Sequence, residues 1–504
     1  MSAIPPSTPV IIGVGQRTIH RDQQPGPEPL ALWEDACRIA LADAGVPDIV
    51  AEIGELLLTD CMSWRYDDPA RRLAERLGAA PSFSYVGPPS GTSGQTLVDK
   101  ASAAIRDGRS ELVMVCGGEA LATVRHYRKA GSPPPWSHPH PQGQAPAIDL
   151  DTHQHPGEVA AGLTEGVGAV YGFAMRDIAR RAHLGITPDD YRADIAETMA
   201  GLTRVAASNP DAWFQQERDA SFLAPPSPDN RLISYPYTKH MVAIIDVDMS
   251  AAVLLASEAW ADRHQVPRDG RVYPWLSCYA EDPVYIAVRD KLWKSEAMEA
   301  AAAAVLEAAD LKPDDIRHVD LYSCFPAAIN FSRDALGISD RPGEAVTVTG
   351  GLPYAGGPAS SYVLTSIAKM TEVLRGNPGS VGLVSGVGMM MSNHVYALYS
   401  TTPPSPSLHA PDAEALQARL DVIPQRAIDD DYRGLATVAA YTVMHGRDGT
   451  PSHGAAICDL PSGARCYATM RDPGILERAE QEELVGRNVM IAAGEKIGEI
   501  VAVD

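Results

Sequence analysis

Two neighbouring stretches decide the fold: VDLYSCF at 319–325 and TGGLPYAGGPASS at 349–361. The first is an apolar run that ends in polar residues, which predicts a buried strand. The second is a glycine-dense turn that leads into a helical run at 362–374. Side chains at the end of a strand and N–H groups at the start of a helix then converge on one place. This arrangement is a common way to build an acyl or phosphate site.

The first part of the chain repeats this organisation. A helix and a strand end at Cys61 and again at Cys324, 263 positions later, and a glycine turn, a helix and a strand follow in each case. The later strands reach Cys116 and Ser385, which are 269 positions apart. Because two separate elements keep nearly the same offset, the sequence indicates that a whole half has been duplicated. Each half alternates strands and helices, which predicts an α/β fold with helices covering mixed or parallel sheets.

Three regions are predicted. Residues 1–265 form the first half, with a long lid or loop insertion at about 125–230, and residues 266–405 form the second half. The composition changes to a linker after Ser400. Short strands separated by turns then predict a separate small β-barrel at 406–504.

Composition excludes several classes of protein. The 504 residues carry a net charge of −22 and a pI near 5.0, which argues against a nucleic-acid surface. The seven cysteines include no C-x-x-C pair, which favours free thiols in a reducing compartment. The start of the sequence lacks the pattern of a signal peptide, and no apolar run predicts a membrane span. The sequence therefore predicts a cytoplasmic protein.

The motifs resemble those of the thiolase superfamily over roughly residues 5–400, in its sterol-carrier-type, type 1 thiolase-like branch. The resemblance depends on the duplicated halves, Ser-Cys-Phe at 323–325, the turn at 350–358 and Ser-Gly-Val-Gly at 385–388. It implies a layered α-β-α-β-α fold in which the pantetheine arm of coenzyme A (CoA) reaches a buried centre between the halves. The C-terminal region resembles the OB-fold domains that accompany some thiolase-like proteins as partner chains, and here it is fused.

The sequence departs from that family at the reactive positions. The thiolase nucleophile, a cysteine at a helix start, falls at Ser90 or Gly91. The activating histidine is replaced by Gly357, and the second reactive cysteine falls near Ser385. Because a serine without an adjacent base is a poor nucleophile, thiolase-type thiolysis is predicted to be absent.

Other side chains could carry different chemistry at the same place. Tyr322 and Tyr354 are expected at the pocket, where a phenol of lowered pKa can act as a general acid or base. Some relatives with an OB-fold partner resemble this arrangement and cleave β-hydroxyacyl-CoA by retro-aldol chemistry, with N–H groups near Gly91 or Gly386 holding the thioester enolate. The candidate catalytic residues are Ser90, Tyr322, Ser323, Cys324, Tyr354, Ser385 and His394. Packing of the two tyrosines and Cys324, helix capping by Ser90 and a core role for His394 are the structural alternatives.

Binding of CoA needs cations for its phosphates. The insertion supplies Arg125, Arg128, Lys129 and Lys239. By resemblance, the segment before residue 246 meets the pantetheine arm, so Tyr237, Lys239 and His240 are the candidate binding residues.

Four histidines, at 138, 140, 153 and 155, could hold a metal, but the surrounding prolines and irregular spacing favour an exposed lid. No metal and no required cofactor are predicted.

The sequence thus predicts a CoA or acyl-CoA-binding protein of lipid or sterol metabolism. Its alternatives are an acyl-CoA retro-aldolase and a scaffold that binds a partner protein through its C-terminal domain. The oligomeric state is left open between monomer and homodimer.

Overall fold

The computed structural model describes residues 4–144, 154–164 and 168–504. The strands are, in chain order, β1 (Pro9–Thr18), β2 (Glu55–Leu58), β3 (Phe83–Val86), β4 (Leu112–Ala120), β5 (Leu232–Ser234), β6 (Tyr237–Thr238), β7 (Asp248–Ser257), β8 (Tyr273–Glu281), β9 (Ile316–Asp320), β10 (Val381–Gly388), β11 (Asn393–Ser400), β12 (Gly434–His445), β13 (Pro451–Asp459), β14 (Arg465–Met470), β15 (Asn488–Ala492) and β16 (Gly498–Val503). The helices are α1 (Pro29–Asp43), α2 (Pro69–Leu77), α3 (Ser93–Arg106), α4 (Leu121–Lys129), α5 (Pro156–Ala160), α6 (Ala169–Leu184), α7 (Pro188–Ser208), α8 (Ala220–Leu223), α9 (Glu258–Arg263), α10 (Glu296–Ala308), α11 (Pro326–Leu336), α12 (Tyr362–Gly376), α13 (Ala413–Asp421) and α14 (Pro473–Gln481).

Two sheets repeat one design. The first has the order β1-β7-β4-β2-β3 and the second β8-β11-β10-β9. In each sheet, the strand that ends at the predicted site (β2 or β9) runs parallel to the strand after the glycine turn (β4 or β10). That second strand pairs with an antiparallel neighbour, β7 or β11. The duplication read from the sequence is therefore present as two matching sheets.

Helices separate and cover the two sheets. α3 and α12 lie between them, because α12 packs on both β7 and β10, and α3 packs on β4 and β11. The two helices meet where Gly94 has no side chain: a Cβ there would lie 2.7 Å from the backbone nitrogen of Leu364. α1 covers the first sheet from outside and α10 covers the second. The predicted α-β-α-β-α layering is confirmed.

The C-terminal region is a closed five-stranded barrel. β12 pairs with β13, β13 with β14, β14 with β16, β16 with β15, and β15 again with β12. The predicted small barrel is thus confirmed. β5 and β6, from the end of the insertion, extend the same sheet beyond β12, and the Tyr235 N–H donates to the Val443 carbonyl at 2.8 Å.

None of the helices within the described ranges has the length and apolar character that crossing a bilayer requires.

Candidate active site

Tyr322 lies at the start of the central helix α3, although it follows β9 of the other half. Its N–H donates to Ser385 Oγ at 2.9 Å, which fixes the backbone. Its hydroxyl lies against Gly91: a Cβ on Gly91 would be 2.6 Å from this oxygen and 2.0 Å from the Val387 carbonyl oxygen. Only glycine fits between these groups. Burial, followed by the neighbouring Cys324, raises the pKa of Tyr322, so its phenol is protonated.

Ser90, just before α3, is engaged locally. Its Oγ lies 2.9 Å from Thr92 Oγ1 and accepts the Thr92 N–H at 3.2 Å. Its own N–H donates to Ser360 Oγ at 3.2 Å, which ties the two glycine turns together. Within the described residues, no base hydrogen-bonds to this hydroxyl.

Ser323 and Ser385 orient backbone. Ser323 Oγ accepts the Leu352 N–H at 3.1 Å, and Ser385 Oγ accepts that of Tyr322. Each hydroxyl joins a strand end to a neighbouring segment and so holds the walls of the site in place.

Cys324 precedes α11 and is 9% exposed. Burial raises the pKa of its thiol well above the ordinary value, so the group is not a thiolate. Its carbonyl accepts the Ala243 N–H at 2.9 Å.

His394 is fully buried, and burial lowers its pKa. Its Nε2 lies 3.3 Å from Asp282 Oδ2 and 3.4 Å from Ser295 Oγ. In a Ser-His-Asp triad the serine and the carboxylate contact opposite ring nitrogens, whereas here both contact Nε2. This cluster is therefore not built as a nucleophilic triad.

Tyr354 is 2% exposed, and among the described residues its hydroxyl has no hydrogen-bond partner. Burial raises its pKa. An unpaired buried hydroxyl costs about 1–3 kcal/mol, which a ligand or water would recover. Tyr354 lines a cleft, although its hydroxyl oxygen itself has no exposed surface.

That cleft has a volume of 650 Å³ and is lined by apolar side chains together with a cluster of basic groups, so we call it the basic cleft. Its basic side chains are Arg21, Arg125, His126, Lys129, Arg218, Lys239 and His240. Asp246 is the carboxylate among the lining residues, and it pairs with Arg125. On a chain with a net charge of −22, the five arginine and lysine side chains gathered here predict an anionic ligand.

Ala243 and Ile244 line the basic cleft and hydrogen-bond to the segments on either side of them. The Ala243 N–H bonds to Cys324, the Ile244 N–H donates to the Leu352 carbonyl at 3.3 Å, and the Gly357 N–H donates to the Ile244 carbonyl at 2.8 Å. Residues 243–244 therefore lie between the Cys324 loop and the glycine turn.

The structure brings Lys239 and His240 to the basic cleft, together with Arg125 and Lys129. Tyr237 lies elsewhere: it is fully buried, donates to Asp177 Oδ2 at 2.6 Å and accepts the Ala327 N–H at 3.1 Å. Arg128 does not line the cleft.

Arg21, His126 and Arg218 line the cleft but were not singled out in the sequence. They come from separate segments, and no local motif marks them. Only their shared basic character on an acidic chain could have suggested them.

No group of three or more potential metal ligands occurs within residues 4–144, 154–164 and 168–504. His138, His140 and His155 belong to these ranges, and His155 caps α5 by accepting the Gly157 N–H at 3.0 Å. His153 lies outside the described residues.

We expect the unfolding free energy of the protein to depend on pH because of Glu119, which lies at the end of β4. It is fully buried, its carboxylate accepts the N–H groups of Met62 and Ser63 at 2.8 Å each, and burial raises its pKa from 4.5 to about 7. The pKa of Glu119 is therefore higher in the folded state than in the unfolded state, so protonation of this carboxyl stabilises the fold. The stabilisation is complete below pH 4.5 and is lost as pH rises through about 7. The expected loss is about 3 kcal/mol.

Urea unfolding at pH 5 and pH 8 measures this contribution, with Glu119→Gln as the comparison. The variant should show a smaller fall in unfolding free energy between the two pH values. An identical fall in both proteins would contradict the assignment to Glu119.

Comparisons with known proteins agree with this architecture. The profile of the family described as "Thiolase-like protein type 1 additional C-terminal domain" matches residues 415–496. A monomeric SCP2-thiolase like protein type 1 from Mycobacterium smegmatis is similar with a TM-score of 0.84 and 29% identity, covering 99% of this chain and 100% of that one. No curated protein matches the sequence.

Two further solved structures share the fold. An Ltp2-ChsH2(DUF35) aldolase is similar with a TM-score of 0.58 and 19% identity, covering 78% of this chain and 99% of that one. The dimeric peroxisomal thiolase of Saccharomyces cerevisiae has a TM-score of 0.55 and 17% identity, covering 79% of this chain and 98% of that one.

Proposed function

We propose that this chain, a thiolase-like protein of the SCP2-thiolase branch with an additional C-terminal domain, binds a CoA thioester and does not catalyse thiolysis. The observation that carries the proposal is the basic cleft, which concentrates arginine and lysine side chains on an acidic chain and is lined by Tyr354. As part of the same proposal, the protein is monomeric, like its relative from M. smegmatis, and acts in cytoplasmic lipid or sterol metabolism.

The basic cleft matches the parts of CoA. Arginine and lysine side chains neutralise phosphates, and arginine can do so with two parallel hydrogen bonds. Phe214 lies in the same cleft, with the Arg21 guanidinium 5.6 Å from its ring centre, and its face suits a stacked adenine. The volume of 650 Å³ is typical of a ligand pocket.

We expect no thiolysis because the chain lacks an activated nucleophile. Thiolysis needs a thiolate beside a base. Ser90 is hydrogen-bonded to Thr92, Cys324 is buried with a raised pKa, and position 357 carries no side chain.

Isothermal calorimetry tests the binding. CoA is expected to bind the wild-type protein, and Lys239→Glu should weaken it by at least about tenfold at low salt, since it places a like charge beside a phosphate. Arg419→Glu is the matched control, because Arg419 is exposed and lies outside the cleft. Acetoacetyl-CoA thiolysis should be undetectable.

Two results would overturn the proposal. Robust thiolysis would show that a nucleophile is present, and a failure of CoA to bind would remove the ligand. If Lys239→Glu and Arg419→Glu weakened CoA binding equally, the binding could not be assigned to the basic cleft.

Retro-aldol cleavage of a β-hydroxyacyl-CoA is the second candidate, favoured by the placement of two phenols. Tyr322 lies beside the N–H groups at the start of α3, and Tyr354 lines the cleft with a free hydroxyl. In this reaction the β-hydroxyl gives its proton to solvent water, the α–β carbon bond breaks and a carbonyl compound leaves. The electron pair forms the thioester enolate, which then takes a proton at the α carbon to give the shortened acyl-CoA. Because burial raises both pKa values, these phenols suit donation to the enolate, instead of the lowered pKa expected for a base.

A further inference from the structure

The basic cleft takes its cations from separate parts of the chain. Arg125, His126 and Lys129 lie on α4. Lys239 and His240 directly follow β6, which pairs with β5 and so belongs to the hairpin that extends the barrel sheet. The placement of Lys239 and His240 therefore depends on how the β5–β6 hairpin is held.

Buried hydroxyl groups attach this hairpin to β12 of the barrel. Ser234 Oγ lies 2.6 Å from Thr442 Oγ1, and Thr442 Oγ1 donates to the Tyr235 carbonyl at 2.9 Å. All three residues are fully buried. Because hydrogen bonds that are shielded from water are electrostatically stronger, these contacts fix the hairpin to the barrel.

Arg231 joins Lys239 to a turn of the barrel. Its carbonyl accepts the Lys239 N–H at 2.8 Å, and its guanidinium donates to the Gly446 carbonyl at 3.0 Å. Gly446 opens the turn at 446–450 between β12 and β13, which we call the barrel turn. The Arg231 side chain is half-buried and does not line the basic cleft. It can therefore act on a ligand in the cleft only through its neighbours or through its charge.

The barrel turn has a defined shape of its own. The Gly446 N–H donates to the Thr450 carbonyl at 2.9 Å. Asp448 Oδ1 accepts the N–H and the hydroxyl of Thr450, at 3.1 and 2.9 Å. Gly449 has a φ of 83°, a left-handed conformation that glycine adopts without strain. These contacts hold the Gly446 carbonyl in place as a fixed partner for Arg231.

We propose that Arg231, held by the barrel turn, positions Lys239 to bind a phosphate of CoA, so that the additional C-terminal domain forms part of the binding site. This inference rests on the proposed CoA binding and gives the domain a role in it. A lysine that is held before the ligand arrives loses less conformational entropy on binding, which raises the affinity. Arg231 is a positioning residue, since it does not itself line the cleft.

Calorimetry with CoA on the full chain tests the positioning through a double-mutant cycle. Arg231→Met should weaken CoA binding by at least about threefold, because the segment that carries Lys239 must then be ordered on binding. In a Lys239→Ala background the same change should weaken binding by less than about 1.5-fold, since no ammonium is left to position. Arg231→Lys keeps the charge and a donor for the Gly446 carbonyl, and its CoA affinity should stay within about twofold of the wild type.

Asp448→Ala separates the effect of position from that of charge. The change removes the acceptor that orders Thr450 in the barrel turn, and it also removes a negative charge. If charge alone mattered, CoA binding would tighten. If the turn holds Arg231, CoA binding should weaken by about twofold or more. Asp448 is exposed, so this variant also decides the question if Arg231→Met does not fold.

Arg341→Met is the matched control. Arg341 is also half-buried and donates to main-chain carbonyls, those of Ile316 and Pro313, but it lies outside the basic cleft. Equal weakening by Arg231→Met and Arg341→Met, an effect of Arg231→Met that persists without the Lys239 side chain, or tighter binding in Asp448→Ala would overturn the positioning and leave CoA binding intact. If CoA does not bind the wild type, the proposed function fails and this inference fails with it.

Discussion

Tyr322→Phe is expected to lower the turnover of a β-hydroxyacyl-CoA by about 10²–10⁴-fold, the usual contribution of a positioned proton donor. The Tyr322 hydroxyl lies beside the start of α3, against Gly91, and under the lyase proposal it donates to the thioester oxygen. As the bond between the α and β carbons breaks, charge develops on that oxygen. A neutral phenol stabilises it by donating a hydrogen bond, which phenylalanine cannot do.

Tyr354→Phe should lower turnover by a factor similar to that of Tyr322→Phe, and it should not destabilise the protein. Its hydroxyl has no partner among the described residues, so removing it should leave the unfolding free energy unchanged or slightly raised. A packing role would produce the opposite pattern, in which stability changes and turnover does not.

The assay follows release of the carbonyl product and of the shortened acyl-CoA, with kcat and KM determined separately. Tyr396→Phe is the matched control, since Tyr396 is also buried but donates to Ser332 Oγ at 3.1 Å and does not line the basic cleft. No cleavage by the wild type would exclude the lyase and leave CoA binding as the function. Wild-type turnover that survives in both tyrosine variants would exclude their catalytic role.

The sequence predicted the features that depend on local pattern. The glycine turn at 349–361, the strand before it and their earlier copy are contiguous motifs, and strand and helix periods are properties of neighbouring residues. The family resemblance and the layered fold with its barrel are confirmed by the structure and by the related structures.

The remaining features depend on contacts between distant segments. The basic cleft joins Arg21, His126 and Arg218, which share no motif. Tyr237 was a candidate CoA-binding residue together with Lys239, but its hydroxyl is bound to Asp177, 60 positions earlier in the chain. The direction of the tyrosine pKa shifts could not be predicted either, because it depends on burial by both halves.

Arg181→Met is expected to lower the unfolding free energy by about 2–3 kcal/mol, because it removes a buried guanidinium that pairs with a partly exposed carboxylate and with two buried hydroxyls. Arg181 is fully buried on α6, where it meets the barrel. Its guanidinium donates to Glu483 Oε2 at 2.9 Å, to the Tyr441 hydroxyl at 3.0 Å and to the Tyr235 hydroxyl at 3.2 Å. Methionine would leave all three oxygens without this donor.

Urea unfolding measures the decrease in unfolding free energy, and two further variants test whether it comes from the contact between Arg181 and Glu483. Arg192→Met breaks a solvent-facing pair with Asp189 and should cost no more than about 1 kcal/mol. Arg181→Met combined with Glu483→Gln should recover part of the stability, because the unpaired carboxylate is removed. A shift in Arg181→Met no larger than in Arg192→Met would contradict the role given to this contact.

The same variant links the barrel to the proposed site. Tyr235 connects β5, which extends the barrel sheet, to the segment that carries Lys239 and His240 into the basic cleft. If this contact holds that wall in place, Arg181→Met should weaken CoA binding at temperatures where the protein is still folded, although Arg181 does not line the cleft. Unchanged CoA affinity in the folded variant would show that the barrel stabilises the chain without shaping the cleft.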